Sequence, residues 1–197
     1  MTNSIEVLIA NLTSPDRHVA MQAIMSLKRQ GEAASPAIPA LKRIMSDITE
    51  PFLQIMAAGA LGEVDPSDPS PTPVLVAGLK DSESFHRMFA IEFLGERRSK
   101  TAVLNAMQLL SDNDFLVRFA TGKALGKVLG DYFHAVAVCV AMLKDESETN
   151  RAIGAECLLS IRRYVGDHLD LLTMAMADCS WQARLDIEEV LGAIRSQ

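Results

Sequence analysis

Four histidines and three cysteines are the side chains of this sequence best suited to holding a metal or attacking a substrate. The histidines read His18-Val19, His86-Arg87, His134-Ala135 and His168-Leu169, scattered and with no carboxylate following any of them. Cys139, Cys157 and Cys179 fall 18 and 22 residues apart with no CxxC among them. That spacing fits buried helical thiols better than a zinc site. No glycine-rich phosphate loop occurs, since Gly95, Gly126, Gly130 and Gly192 stand where close packing or helix ends account for them. No Ser/His/Asp arrangement can be assembled either. The expectation is a chain without a catalytic constellation, a metal or a cofactor.

The regular pattern lies in charged residues of a different kind. An aspartate is followed six residues later by arginine at Asp81/Arg87, Asp112/Arg118, Asp145/Arg151 and Asp178/Arg184, with degenerate copies at Ser14/Ala20 and around Asp47/Gln54. The anchors recur about every 31 to 34 residues, the period of stacked supersecondary units that each need a neighbour to bury their apolar face. A turn aspartate can cap the helix that follows it, while the arginine stands too far along to be an i, i+4 partner. The pattern therefore predicts a structural ladder in which the guanidinium of one unit meets the carboxylate of a neighbour. Exposed charges that grip a ligand are the alternative.

The elements that would carry these residues are helices. Beyond each arginine position, leucine recurs seven residues on at Leu27, Leu94, Leu125, Leu158 and Leu191, with Leu61 in place if one residue is inserted. Small residues stand near the midpoints, at Ala23, Ala57, Ala90, Thr121 and Gly154. Spacings of three, four and seven put them on one stripe of a helix that neighbours can approach closely. A shorter apolar helix precedes each anchor, for instance Val136, Val140 and Leu143. The expected array is a single all-α solenoid of about six antiparallel helix pairs at 4–30, 36–64, 71–97, 100–129, 132–164 and 167–195. Four prolines in Asp65–Pro73 predict a stiff extended connection there, with a hinge or docking loop as the other reading.

Composition bounds the function. Apolar residues make up 49% and aromatics 5%, a balance that suits closely packed helix pairs. A formal charge of −6 disfavours nucleic acid. The basic clusters Arg97-Arg98 with Lys100 and Arg162-Arg163 sit near predicted helix ends, where cations complement the dipole. No apolar run reaches the roughly 18 to 20 residues of a membrane helix, and the opening MTNSIEVLIANL lacks the marks of a secretion signal. With an odd cysteine count, the expected setting is reduced, soluble and cytoplasmic.

The segment Asp112-Asn-Asp-Phe-Leu-Val-Arg118-Phe-Ala-Thr-Gly-Lys-Ala-Leu-Gly126 resembles HEAT repeats, and the short period is similar to the bacterial subgroup named after phycobilisome lyase subunits. The resemblance spans nearly the whole chain. It implies an armadillo-like right-handed superhelix with second helices lining the concave side, used mostly as a protein-binding scaffold. A subunit or regulator of a bilin-lyase-like enzyme is the alternative, and a nucleic-acid-directed protein a further one. The His-Glu ligand pairs of HEAT-like iron hydroxylases are missing, as is the basic, aromatic concave face of HEAT-like DNA glycosylases.

Within such an array the position after the arginine site is apolar in every unit: Met21, Ile55, Met88, Phe119, Ala152 and Leu185. Lateral packing between repeats explains it. The functional reading is a greasy concave strip of Met88, Phe119 and Leu185, flanked by Phe85, Leu116, Glu92 and Lys123, that accepts a peptide or helix of another protein.

Overall fold

The leucine and small-residue stripes predict paired helices, and helices are what form. A computed structural model describes residues 4–177 and 179–195. In chain order the helices are α1 (Ile5–Asn11), α2 (Arg17–Gln30), α3 (Ile38–Met45), α4 (Pro51–Val64), α5 (Pro71–Gly78), α6 (Ser84–Glu96), α7 (Lys100–Asn105), α8 (Phe115–Leu129), α9 (Phe133–Leu143), α10 (Glu148–Ser160), α11 (Leu169–Ala177) and α12 (Trp181–Arg195). Short 3-10 segments at Gly31–Ala37, Met107–Ser111, Arg162–Tyr164 and Gly166–His168 join or extend them. No strand occurs among the described residues. The fold is all-α.

The chain divides into two compact units, the first ending at Ala106 and the second beginning at Met107. In the first, α1 packs on α2, α3 on α4 and α5 on α6. Helix α4 is apolar all round and is buried accordingly, touching α2, α3, α5 and α6. In the second unit the 3-10 segment Met107–Ser111 packs on α8, α9 on α10 and α11 on α12, with α9 also against α8. All six repeat leucines, Leu27, Leu61, Leu94, Leu125, Leu158 and Leu191, are buried. No helix among the described residues is long and apolar enough to cross a membrane.

The proline-rich connection differs from the stiff extended loop predicted for it. Pro71 and Pro73 stand in the first turn of α5, where the missing N–H would have had no intrahelical partner anyway. Upstream of them Asp68 is buried and tied on two sides. Its carboxylate accepts from Lys42 Nζ at 2.6 Å, and its carbonyl accepts from Arg97 Nη2 at 2.6 Å. The connection thus pins α3 and the end of α6 together. Lys42 above all, followed by Ser70, whose amide donates at 2.8 Å, holds the Asp68 carboxyl down to about 2. A carboxyl lowered on folding stabilises the protein above its unfolded value of about 3.9, and that stabilisation disappears as the pH falls toward 2. We expect Asp68→Asn to cost about 1–2 kcal/mol at pH 6, discounted for the half-exposed Lys42. Melting curves of both proteins from pH 6 to 3 should show the difference shrinking; a constant difference would refute the ion pair.

Candidate binding surface

The aspartate–arginine module is built within single hairpins. Each anchor aspartate turns its Oδ1 onto the amide two residues on: Asp81 to Glu83 at 2.9 Å, Asp112 to Asp114 at 2.9 Å and Asp145 to Ser147 at 2.8 Å. The helix cap is the residue after the turn, as at Asp114 and Ser147. Arg87, Arg118 and Arg151 then reach back to their own turns' carbonyls, and Arg184 to the end of the preceding helix. Arg87 Nη1 donates to Asp81 and Ser82 at 2.9 and 2.8 Å, and Arg118 Nη1 to Asp112 and Asn113 at 2.7 and 3.1 Å. Arg151 Nη1 does the same to Asp145 and Glu146 at 3.2 and 3.0 Å, and Arg184 Nε donates to Met176 O at 3.1 Å. Asp178 lies outside the described residues. Gln54 stands in for arginine in the second repeat, donating to Met45 O at 2.9 Å.

The predicted ladder is corrected on this point. No ion pair joins Arg118 to Asp145 among the described residues; the guanidinium instead satisfies carbonyls that the turn leaves without helical partners. Arg151 does reach a neighbouring repeat, and it uses a different acid. Arg151, 8% exposed, donates through Nε to Asp186 Oδ2 on α12 at 2.6 Å.

The apolar column after the arginine is not one continuous strip. Ile55 and Phe119 are buried, Met21 and Met88 half-buried, and Ala152 and Leu185 exposed. Phe119, 7% exposed, belongs to the core of the second unit, stacks on Phe115 at 6.2 Å and carries Lys123 Nζ 5.5 Å from its ring centroid. Its predicted place on a binding strip is overturned by that burial. Leu116 and Leu185 remain exposed. Glu92 lines a shallow cleft of the first unit beside Met25, Lys28 and Phe89.

Phe85 belongs to a better-formed site. A cleft of about 520 Å³ opens in the first unit between Arg17, His18 and Met21 of α2, Phe52 of α4, and Phe85 and His86 of α6. Phe52 is the hub of its wall, 5.6 Å from Phe85, 5.4 Å from the stacked His86 ring and 5.9 Å from Phe89. Phe85 meets Phe89 edge-on at 4.7 Å and still shows 52% of its surface to solvent. Arg17 lies 5.4 Å from the Phe52 centroid and 3.5 Å from Glu50. His86 Nδ1 is 3.1 Å from Asp81 Oδ2, an ion-pair distance outside hydrogen-bond geometry. Burial works to raise the Asp81 carboxyl, but the Glu83 amide, His86 and Arg87 outweigh it and leave it lowered. Sequence reading along the arginine column finds Phe85 and misses Phe52, His86 and Phe89. The signal for the last was the run Phe85, Phe89, Phe93, one residue per turn on a single face.

All three cysteines are free thiols. Cys139 is fully buried and its thiol is pushed far up by that burial; Cys157 is raised for the same reason. Arg97, from a basic cluster read as a helix-end charge, covers Gly62 and binds Asp68.

Comparison with known proteins agrees with this architecture. The complex of CpcE and CpcF of phycocyanin lyase from Nostoc sp. PCC7120 is similar in structure, with a TM-score of 0.52 and 22% identity over 98% of this chain and 78% of that one. That likeness speaks for the fold. A search of curated proteins gives no match. A family model described as HEAT repeats matches residues 5–86 and 72–132, well over half of the sequence. The chain belongs to the HEAT-repeat family.

Proposed function

We propose that this protein is a non-catalytic scaffold that takes another protein or peptide on the cleft between α2, α4 and α6. One observation carries the reading: a half-exposed phenylalanine, Phe85, sits at the mouth of a packed ring cluster with Arg17 and His18 beside it. A large apolar ring costs free energy when left in water, and a rigid aromatic anchor rimmed by polar groups is what a partner's side chains bury against. The reading as a subunit of an enzyme draws on the similar structure, which is itself a complex of two different chains.

The test is affinity capture from the source cells with the wild type and Phe85→Asp side by side. Phe85 is exposed enough for the substitution to leave the fold intact, which circular dichroism checks. One protein recovered in equal amount by the wild type, and at least tenfold less by Phe85→Asp, supports the scaffold. Capture that Phe85→Asp leaves unchanged removes the cleft from consideration. Recovery of enzyme subunits whose activity depends on this protein favours the second reading.

A further inference from the structure

The second unit carries a groove of its own, independent of the ring cluster. It lies between α10 and α12 and encloses about 430 Å³. On α10 the residues Glu148, Ala152, Ala155, Glu156 and Leu159 line it, at spacings that place them on one helical face. On α12 Asp186, Glu189, Val190 and Ala193 form the facing stripe. The floor is apolar and its side chains are small, so the backbone of an incoming helix can approach closely. The rim is acidic. Arg151 neutralises Asp186, and among the described residues no lysine or arginine forms an ion pair with Glu148, Glu156 or Glu189. The lining is left with a net of three negative charges around an apolar floor.

We infer that this groove binds a cationic amphipathic helix of a partner protein, presenting two apolar side chains one turn apart with Lys or Arg on either flank. The apolar pair fills the floor over Ala152 and Ala155, and the flanking cations meet Glu148, Glu156 and Glu189. The lined stretch from Glu148 to Leu159 corresponds to roughly 16 Å of helix, room for about three turns of the partner. Charge complementarity selects the partner: an acidic or neutral helix would leave these carboxylates facing like charge or desolvated without a counterion.

The probe is a fluorescein-labelled, amidated 14-residue helical peptide of leucine and lysine, with the leucines one turn apart, and a control with glutamate in place of lysine. Anisotropy titrations use the full-length protein at about 50 and 300 mM salt. The lysine peptide should bind, more weakly at the higher salt, and the glutamate peptide should not. Two variants separate the groove from general acidity. Glu156→Lys/Glu189→Lys reverses the rim, and Ala152→Trp fills the floor without altering charge; each should weaken binding at least tenfold while the melting temperature holds. Binding that survives Ala152→Trp would reduce the attraction to diffuse charge and overturn the proposal. Equal binding of the glutamate peptide would overturn it too, as would a dimer in sedimentation that Ala152→Trp dissolves, since the occupant would then be a second copy. Failure here leaves the Phe85 cleft untouched, because no residue is shared.

Discussion

Gly122→Ala lowers the stability of this protein by about 2–3 kcal/mol, read as a fall in the urea midpoint at unchanged slope. The reason is backbone against backbone. A Cβ at this position of α8 would stand 2.6 Å from Ala135 N, 2.7 Å from Ala135 Cα and 2.9 Å from His134 C at the start of α9. Main-chain atoms cannot swing aside as a side chain does, so α9 must shift, and its fully buried residues Ala135, Val136 and Cys139 shift with it. Alanine's better helix propensity returns up to about 1 kcal/mol, which is already included in the net figure. Gly192→Ala provides the opposite sign. No atom of the described residues lies within 4 Å of a Cβ there, and the residue is interior to α12, so the same substitution should stabilise by about 0.5–1 kcal/mol. If both substitutions act alike, close approach of α8 and α9 is not what holds Gly122 in place.

The contrast between these two glycines also marks how far the sequence could be read. Both stand in the same kind of helix, and only the neighbouring chain tells them apart. The six hairpins are legible because leucine and small residues recur at helical spacing and every one of those stripes must be buried. The charge pattern is legible as a motif but not as a contact. Arginine six residues after aspartate looks outward to a neighbouring repeat when counted along the helix. Side chains on a helix lean toward its N-terminus, however, so this arginine falls back over its own turn and binds the carbonyls there. The binding surface was harder to find for a related reason. A column taken one residue after the arginine drifts from core to surface as the packing of each repeat changes, burying Ile55 and Phe119 while exposing Leu185. The cleft around Phe52 draws on three second helices, and no single spacing connects them.

Arg151→Met should cost about 3 kcal/mol, and the effect should travel between repeats. This guanidinium is the buried one of the series and makes three bonds, two to the carbonyls of its own turn and one to Asp186 on α12. Methionine keeps most of the apolar stem, so the lost packing is small. Losing the fork leaves the Asp186 carboxylate against the wall of α10 without its cation, the usual source of large penalties when one half of a partly buried pair is removed. Asp186 retains 38% side-chain exposure, which places the cost at the lower end of the range of about 3–5 kcal/mol for such pairs. The turn carbonyls contribute less, because Asp145 and Glu146 are open enough for water to replace the arginine. A double-mutant cycle with Asp186→Leu separates the two parts. If stranding dominates, Arg151→Met/Asp186→Leu recovers half or more of the loss, with a coupling of about 1.5 kcal/mol or greater. Additive losses would mean that the clamp on the turn is the arginine's whole contribution, leaving α10 and α12 held together by apolar contact alone.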